Sequence, residues 1–254
     1  MNICFLCNFN FRQKLNLVDK IAVVTGVSSG LGAAIAKALT QNGVIVYGLA
    51  RNKARLEIIQ KDLGDFFHPV QLDISKSDEI KSWTASTFSE KYSPDILINN
   101  AGTGSFAAID ETPAEQWFEM VNTNLNGTYN ITSQIVPFLK KKKHHTHIIN
   151  IGSILGTIAR ENASAYSATK FGLNGFSEAL FKELRNFSIK VSIINPGSID
   201  TDFFQSSGIK KHHNMLQADD LAETVIYLLK TPDNMLIDEL TVRPLNPKAP
   251  DNQD

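Results

Sequence analysis

The sequence predicts an α/β fold, a doubly wound parallel sheet of about seven strands with helices on both faces. From residue 20 onward, short apolar runs alternate with longer amphipathic runs that have helical spacing. A glycine-rich loop joins the first apolar run to the first amphipathic run. No repeat, low-complexity tract or linker divides the 254 residues, so one large domain is the economical arrangement.

The first half of the chain contains four predicted strands separated by helices. The runs IAVVTG, VIVYGLA, HPVQLDI and DILINN have the length and β-branched content of buried strands. Between them, LGAAIAKALTQNG and NKARLEIIQKDLG have helical spacing and end at glycines, and SKSDEIKSWTASTFSEKY continues the pattern. This alternation is typical of parallel βαβ units.

The second half of the chain repeats the scheme. The segment TPAEQWFEMVNTNLNGTYNITSQIVPFLKKKK predicts one long helix or a broken pair of helices. THIINIGS, IKVSIINPG and IDELTVRP predict strands, while ASAYSATKFGLNGFSEALFKELRNF and QADDLAETVIYLLK predict helices. Right-handed crossovers between such parallel strands give a doubly wound sheet.

Composition and charge exclude several classes of partner. The chain is 43% apolar and 20% charged with a formal net charge of −1, so no overall field attracts nucleic acid or an anionic membrane. No segment approaches the roughly 20 apolar residues that a membrane span needs. We therefore expect a small-molecule partner, no nucleic acid and no membrane, although Phe5, Phe9 and Phe11 leave a weak interfacial anchor as an alternative.

Two cysteines, Cys4 and Cys7, have C-x-x-C spacing near the N-terminus. No second pair completes a tetrahedral metal site, and two cysteines in this length do not make a disulfide scaffold. The sequence therefore predicts no metal and a reducing, cytoplasmic location.

A glycine-rich loop, TGVSSGLG, follows the first predicted strand and opens the first helix. Gly26, Gly30 and Gly32 remove Cβ atoms where the backbone turns sharply and approaches a ligand. Free N–H groups at the helix start then favour an anion such as a pyrophosphate. The spacing G-x-x-x-G-x-G differs from the better-known dinucleotide pattern, and tight strand–helix packing is the alternative explanation.

A tyrosine and a lysine stand four positions apart in SAYSATKFG, so Tyr166 and Lys170 share one helix face. An unperturbed phenol has a pKa near ~10, and a nearby ammonium lowers it. The pair therefore has the chemistry of a proton donor to a carbonyl or a base toward an alcohol. The alternative is a packed helix face, since Y-x-x-x-K recurs by chance.

TGVSSGLG, the NNAG at 99–102 and the YSATK at 166–170 together resemble the short-chain dehydrogenase/reductase family over residues 20–244. The resemblance implies a Rossmann-type fold and an oxidoreductase that moves a hydride between nicotinamide C4 and a secondary alcohol or carbonyl. It implies that residues 18–246 form a single dinucleotide-binding catalytic domain. Residues 1–17 are then an extension, expected to be mobile, and 247–254 a polar tail.

The resemblance also assigns the catalytic group. Tyr166 is expected to move the proton, Lys170 to tune it and hold the nicotinamide ribose, and Ser153 to steady the substrate oxygen. Asn124 matches the asparagine that supports a proton relay, although Asn122 and Asn126 are near alternatives.

Cofactor contacts follow from the same motifs. The glycine loop, an adenine-contacting aspartate, NNAG, the Tyr–Lys pair and the P-G-x-x-x-T motif in NPGSIDT imply these residues: Gly26, Ser28, Ser29, Gly30, Leu31, Gly32, Arg51, Asp73, Asn100, Ala101, Gly102, Tyr166, Lys170, Pro196, Gly197, Ile199 and Thr201. Asn99 is expected to tie strands together instead of touching the cofactor.

The end of the second strand favours NADP over NAD. A carboxylate there would bind the ribose 2′-hydroxyl of NAD, but Ala50 occupies that position and Arg51 follows. A guanidinium can hold a 2′-phosphate in a bidentate way. A solvated arginine at a strand end is the alternative.

The substrate is less defined by sequence. A short covering segment at 200–216 resembles the branch of NADP-dependent 3-hydroxy acid dehydrogenases, where Arg160 either reaches a substrate carboxylate or is an exposed loop residue. In that segment, Phe203 and Phe204 are expected to form an apolar wall or lid, and His212 and His213 to be exposed. Alternative functions are a reductase of 3-oxoacyl or lipid-like carbonyls and a non-catalytic dinucleotide-binding regulator.

Two further expectations concern surfaces. The run KKKKHHTH at 140–147 is expected to be a solvated helix end without metal ligands. The family resemblance implies a homodimer or homotetramer that packs through the two long helices.

Overall fold

One seven-stranded parallel sheet forms the centre of the protein, whose computed structural model describes residues 16–203 and 211–248. The strand order is β3-β2-β1-β4-β5-β6-β7. The strands are β1 Ile21–Thr25, β2 Ile45–Ala50, β3 Phe67–Gln71, β4 Ile96–Asn99, β5 Thr146–Ile151, β6 Ile189–Pro196 and β7 Glu239–Val242. The expectations for Cys4, Cys7, the N-terminal phenylalanines and Phe204 lie outside the described residues.

Helices cover both faces of this sheet, which confirms the predicted doubly wound fold. The described α-helices are α1 Gly30–Gln41, α2 Lys53–Leu63, α3 Ser77–Thr87, α4 Ala114–Val121, α5 Thr128–Leu139, α6 Ser164–Leu184 and α7 Ala218–Leu229. One apolar cluster packs α1, α2 and α7 on one face of the sheet. A second cluster packs α3, α5 and α6 on the other face.

The sheet reverses its winding at β1. This strand pairs with β2 on one side and with β4 on the other, so the connections that follow β1 and β4 leave in opposite directions. The carboxyl ends of these strands therefore open a crevice, the position at which open parallel sheets bind ligands.

A π-helical turn at Asn122–Gly127 joins α4 to α5. The sequence left one long helix or a broken pair as alternatives, and the chain instead stays helical through a wider turn. Such turns are rare and often lie at functional sites.

The amino edge of the sheet carries a charged cluster around Asp95, which is 5% exposed. Its carboxylate accepts a hydrogen bond from Ile21 N at 3.0 Å and lies 2.7 Å from His144 Nε2 and 3.1 Å from Lys142 Nζ. His147, from the same basic run, is buried and contacts Ser192 Oγ at 2.8 Å. The expectation of a solvated run at 140–147 is therefore wrong for Lys142, whose side chain is 17% exposed beside Asp95, and for His147, which is buried on β5, whereas His144 and the other lysines of the run are exposed.

Several boundaries differ in detail from the sequence expectations. Leu17, the last residue of the predicted extension, is buried at 4% exposure in the core. β3 ends at Gln71, so Asp73 lies beyond the strand and its Oδ1 accepts from Ser75 N at 2.9 Å. No helix of the described chain is long and apolar enough to cross a bilayer.

Candidate active site

A cavity of about 340 Å³ opens at the carboxyl edge of the sheet. Every residue that the sequence predicted to bind the cofactor lines it, from the loop after β1 to the segment after β6. Ser153 also lines this cavity, whereas Asn124 lies behind the wall and is 1% exposed. The fold therefore gathers motifs that are up to 175 positions apart in sequence, from Gly26 to Thr201.

The loop after β1 brings the start of α1 to the cavity. Gly26 has a φ of +72°, and a Cβ there would lie 2.7 Å from Ala101 Cα. A Cβ at Gly32 would overlap the carbonyl oxygen of Gly26, so the helix start rests directly on the loop. In this described turn, Ser29 gives no side-chain cap and no acidic residue occupies the first turn of α1. The uncapped N–H groups fit a pyrophosphate.

Thr25 and Asn100 hold the two sides of the crevice together. Thr25 Oγ1 accepts from the backbone N–H groups of Asn100 and Ala101 at 3.0 Å each. Asn100 Nδ2 donates to the carbonyl oxygens of Thr25 and Gly26 at 3.0 and 3.1 Å. Asn99 Nδ2 donates to Asn150 Oδ1 on β5 at 2.8 Å, as expected for a residue that ties strands together.

The end of β2 carries a cation and no carboxylate. Ala50 is buried at 6% exposure, while Arg51 lines the cavity with its side chain 67% exposed. Arg51 Nη1 lies 3.8 Å from Glu119 Oε1 on α4, a loose surface pair of small energetic value. The guanidinium is therefore available to an anion at this end of the cavity.

Ser153, Tyr166 and Lys170 converge on the opposite end of the cavity. Ser153 follows β5, and its hydroxyl is a polar neighbour of the Tyr166 phenol that favours a lower phenol pKa. Lys170 lies one turn beyond Tyr166 on α6, with its Nζ 5.7 Å from the centre of the tyrosine ring. Lys170 Nζ donates to the carbonyl oxygen of Ile151 at 2.9 Å. The spacing that predicted a shared helix face thus brings serine, phenol and ammonium together.

Burial dominates the electrostatics of this group. Tyr166 and Lys170 are each 5% exposed. Burial raises the pKa of Tyr166 to about 12, against the opposing hydrogen bond from Ser153, and lowers the pKa of Lys170 to about 8. The expectation that the ammonium lowers the phenol pKa is therefore wrong for the protein alone. Loss of hydration outweighs the effect of the Ser153 hydroxyl, and the phenol is neutral at pH 7.

Asn124 braces the group from the π-helical turn. Its Nδ2 donates to the carbonyl oxygen of Thr103 at 2.9 Å and to Thr169 Oγ1 at 3.0 Å. Its Oδ1 accepts from Thr103 N at 2.9 Å. Both amide hydrogens are used, so a part in a proton relay would fall to the backbone carbonyl of Asn124.

Aromatic rings flank the phenol where a substrate would approach. The Tyr166 ring centre lies 5.3 Å from that of Phe106 and 5.9 Å from that of Phe203. The guanidinium carbon of Arg160 lies 5.2 Å from the Phe106 ring centre, a cation–π contact at the rim. Phe203 thus contributes to an apolar wall.

Comparison with known proteins identifies the family. Residues 20–212 match the short chain dehydrogenase family. The chain belongs to the short-chain dehydrogenase/reductase family. It is an NAD(P)-dependent oxidoreductase of alcohol and carbonyl groups.

Members of the short-chain dehydrogenase/reductase family that act on different substrates resemble this chain. A farnesol dehydrogenase of Aedes aegypti is 34% identical over 241 residues, which cover 90% of this chain and 97% of the relative. A serine dehydrogenase complexed with NADP+ superposes with a TM-score of 0.80 at 29% identity, covering 87% of this chain and 93% of that one. A 3-ketoacyl-(acyl-carrier-protein) reductase of Brucella melitensis complexed with NADH gives 0.81 at 29% identity, covering 90% and 98%.

Sequence reasoning missed the polar residues that support the site from behind. Thr103 lies outside the motifs, and Thr25, Thr169 and Asn195 lie within them but were assigned no role, yet each of the four holds a motif residue in place. One signal for Asn195 was available: it is an amide in the apolar run IKVSIINPG, which folds as a wholly buried strand.

Proposed function

We propose that this enzyme transfers a hydride between NADP and a secondary alcohol or carbonyl compound, with Tyr166 as the general acid and base. One observation carries the proposal: Ser153, Tyr166 and Lys170 lie together in the wall of the cavity that all the predicted cofactor residues line. When bound, the nicotinamide supplies or accepts the hydride. The glycine loop and α1 would hold its pyrophosphate, and Pro196, Gly197 and Thr201 its nicotinamide end.

In this proposal the chain's own residues manage the proton. A pKa of about 12 keeps the Tyr166 phenol protonated, so in carbonyl reduction it donates to the substrate oxygen. Ser153 donates a second hydrogen bond to that oxygen as negative charge develops. Lys170, still partly protonated near neutral pH, offsets the charge that the phenol acquires. Asn124 keeps α6 and the chain after β4 in register.

Replacing Tyr166 by Phe tests the acid–base role. We expect the rate of carbonyl reduction to fall about 10²- to 10⁴-fold, because the apolar ring is retained and the proton donor is lost. The rate is read from nicotinamide absorbance. Tyr227→Phe is the matched control, since that tyrosine is 60% exposed on α7. Near-normal turnover by Tyr166→Phe would sink the assignment.

NADP is proposed over NAD because of Arg51. Its guanidinium lines the cavity at the end of β2, where the carboxylate that would bind a ribose 2′-hydroxyl is replaced by Ala50. The family neighbours include both an NADP and an NADH complex, so the chain's own residues carry the preference.

Replacing Arg51 by Asp is expected to weaken NADPH binding at least ~10-fold and to leave NADH binding within a few-fold. Dissociation constants from quenching of protein fluorescence measure both. Arg55→Asp, one turn further along and outside the cavity lining, controls for net charge. If Arg51→Asp weakens NADPH and NADH binding equally, or changes neither dissociation constant, the proposed role of Arg51 is contradicted.

A small hydroxy acid or a range of simple carbonyl compounds is the proposed substrate class. Phe106 and Phe203 provide an apolar wall beside the phenol, and Arg160 places a cation at its rim. A 3-oxoacyl or lipid-like carbonyl is the second candidate, since the same apolar wall suits an acyl chain. A panel of 3-hydroxy acids, 3-oxoacyl thioesters and aldehydes separates them: selectivity for acyl thioesters would overturn the first choice.

The protein is proposed to act as a homodimer or homotetramer. Apolar side chains are exposed on the helices that the family resemblance assigns to subunit contacts: Phe118 on α4 and Tyr129 on α5 are each 60% exposed, and Phe171 on α6 is 45% exposed. Light scattering on the purified protein checks this, and a monomer at micromolar concentration contradicts it.

A further inference from the structure

A pair of asparagines joins the strand that precedes the nicotinamide end of the cavity to the helix that carries Tyr166. Asn195 ends β6 and is 0% exposed, while Asn174 lies one turn after Lys170 on α6. Asn195 Nδ2 donates to Asn174 Oδ1 at 2.9 Å, and Asn174 Nδ2 faces Asn195 Oδ1 at 3.5 Å. We call these two residues the asparagine bridge.

The asparagine bridge reaches both sides of the catalytic group. Asn195 Oδ1 accepts from the backbone N–H of Ser153 at 3.1 Å. Asn174 Nδ2 donates to the carbonyl oxygens of Lys170 at 3.0 Å and Gly156 at 3.2 Å. The bridge therefore ties the serine-bearing chain after β5 to the helix that carries the tyrosine and lysine.

Two glycines show how closely the chain around Ser153 is fitted to this bridge. A Cβ at Gly152 would overlap Asn195 Oδ1, and a Cβ at Gly156 would overlap Asn174 Nδ2. Ser153 lies between these two contacts, so a displacement of either amide displaces the serine. In contrast, the open space around Gly175 tolerates a Cβ.

Glu239 on β7 supports the orientation of the Asn195 amide. Its Oε1 accepts from Asn195 Nδ2 at 3.1 Å. The Ser153 N–H can only donate and the Glu239 oxygen accepts, so both partners favour the amide oxygen toward Ser153 and the amide nitrogen toward Glu239. A reversed amide would set two donors against each other at Ser153 and two acceptors against each other at Glu239.

We propose that Glu239, through the asparagine bridge, is a positioning residue that fixes Ser153 relative to Tyr166 for the proton step. The proposal rests on the proposed function, because it concerns the same serine and tyrosine. Acid–base catalysis is sensitive to sub-ångström displacement of its donors. A buried amide costs free energy of desolvation that an apolar residue at the end of β6 would avoid. Positioning of Ser153 accounts for its presence.

Replacing Glu239 by Leu tests the proposal at an exposed position, where loss of folding is not expected. The substrate is the carbonyl compound that the wild-type enzyme reduces fastest in the panel. We expect its kcat to fall at least ~5-fold, with the NADPH dissociation constant unchanged. Glu239→Gln is the matched control, because its amide oxygen still accepts from Asn195 Nδ2, and its kcat is expected to stay within about 2-fold.

Asn195→Asp gives a readout that a merely structural residue would not produce. The new carboxylate faces Glu239, so the two share a proton and kcat is expected to fall as pH rises through the titration of that pair. Adding Glu239→Gln removes the second carboxylate and is expected to remove this pH dependence. We expect no such fall of kcat from this position in the wild-type enzyme.

The outcomes separate the two proposals. If Tyr166→Phe abolishes turnover while Glu239→Leu and Asn195→Asp change Tm but neither kcat nor the pH profile, the positioning role is overturned and the proposed function stands. If Tyr166→Phe keeps near-normal turnover, the proposed function fails first. Reduced kcat in Glu239→Leu, restored in Glu239→Gln, supports the positioning role.

Discussion

The two edges of the sheet treat buried charge in opposite ways. At the amino edge, Asp95 is surrounded by Lys20, Lys142 and His144 and by the backbone N–H of Ile21. At the carboxyl edge, Lys170 is as deeply buried, yet its Nζ contacts a backbone carbonyl and, among the described residues, forms no salt bridge with a carboxylate.

Under the proposed function, buried charge stabilises the fold at the amino edge and takes part in the proton step at the carboxyl edge. Burial opposes ionisation of Asp95, but the hydrogen bonds from the Ile21 N–H and His144 and the charge of Lys142 together lower its pKa, which favours the ionised form in the folded protein. Burial without a partner lowers the pKa of Lys170 instead, so the folded state disfavours its charge. A site that needs an ammonium near neutrality therefore reduces the stability of the fold.

The largest expected effect comes from replacing Lys170, the buried lysine at the carboxyl edge. Lys170→Met should lower kcat about 10²- to 10³-fold, since nothing then offsets the charge on Tyr166. The same variant should raise Tm by on the order of 3 °C, because a buried ammonium is replaced by an apolar chain of similar length. Turnover and thermal melting measure the two effects.

Lys190→Met is the matched control for this variant. Lys190 is also buried, but its Nζ donates to the carbonyl oxygens of Pro232 at 2.7 Å and Thr231 at 3.2 Å, far from the cavity lining. We expect a lower Tm and normal turnover per folded molecule. A fall in Tm for both variants would contradict the claim that the buried charge of Lys170 reduces the stability of the fold.

An intermediate effect is expected from replacing Asp95, the buried carboxylate at the amino edge. Asp95→Asn should reduce the free energy of unfolding by about 2 kcal/mol, because the cations at the amino edge lose their partner while solvent still reaches them. Turnover per folded molecule should not change. Denaturant unfolding measures the loss, and Glu90→Gln, which breaks the exposed pair with Lys141, is expected to change nothing measurable.

The smallest effect is the pH dependence that Asp95 confers. Its folded pKa lies below the ordinary value of 3.8, so its contribution is complete above that value and is lost as pH falls through the folded pKa. The difference in unfolding free energy between wild type and Asp95→Asn should therefore shrink on acidification below about pH 4. A difference that is constant in pH contradicts an ionic origin.

The two edges also differ in how well sequence predicts them. Periodicity was sufficient for the sheet and its helices, because these depend on local pattern, whereas most residues that line the cavity were predicted from the resemblance to the short-chain dehydrogenase/reductase family. Lys142 and His147 in the basic run were misjudged because their partners Asp95 and Ser192 are distant in sequence. The pKa of Tyr166 was misjudged because helical spacing predicts proximity, whereas burial comes from elements such as Phe106 and Phe203.

The π-helical turn at Asn122–Gly127 also changes the angular phase of the chain. One inserted residue rotates every later side chain by about 100° around the helix axis. Met120, before the turn, packs with Tyr166, while Ile131 and Ile135, after it, pack on the sheet. A single-residue deletion within the turn would restore a regular helix and swing one of these two faces into water. The π-helical turn thus allows one continuous helical segment to pack against Tyr166 before the turn and against the sheet after it.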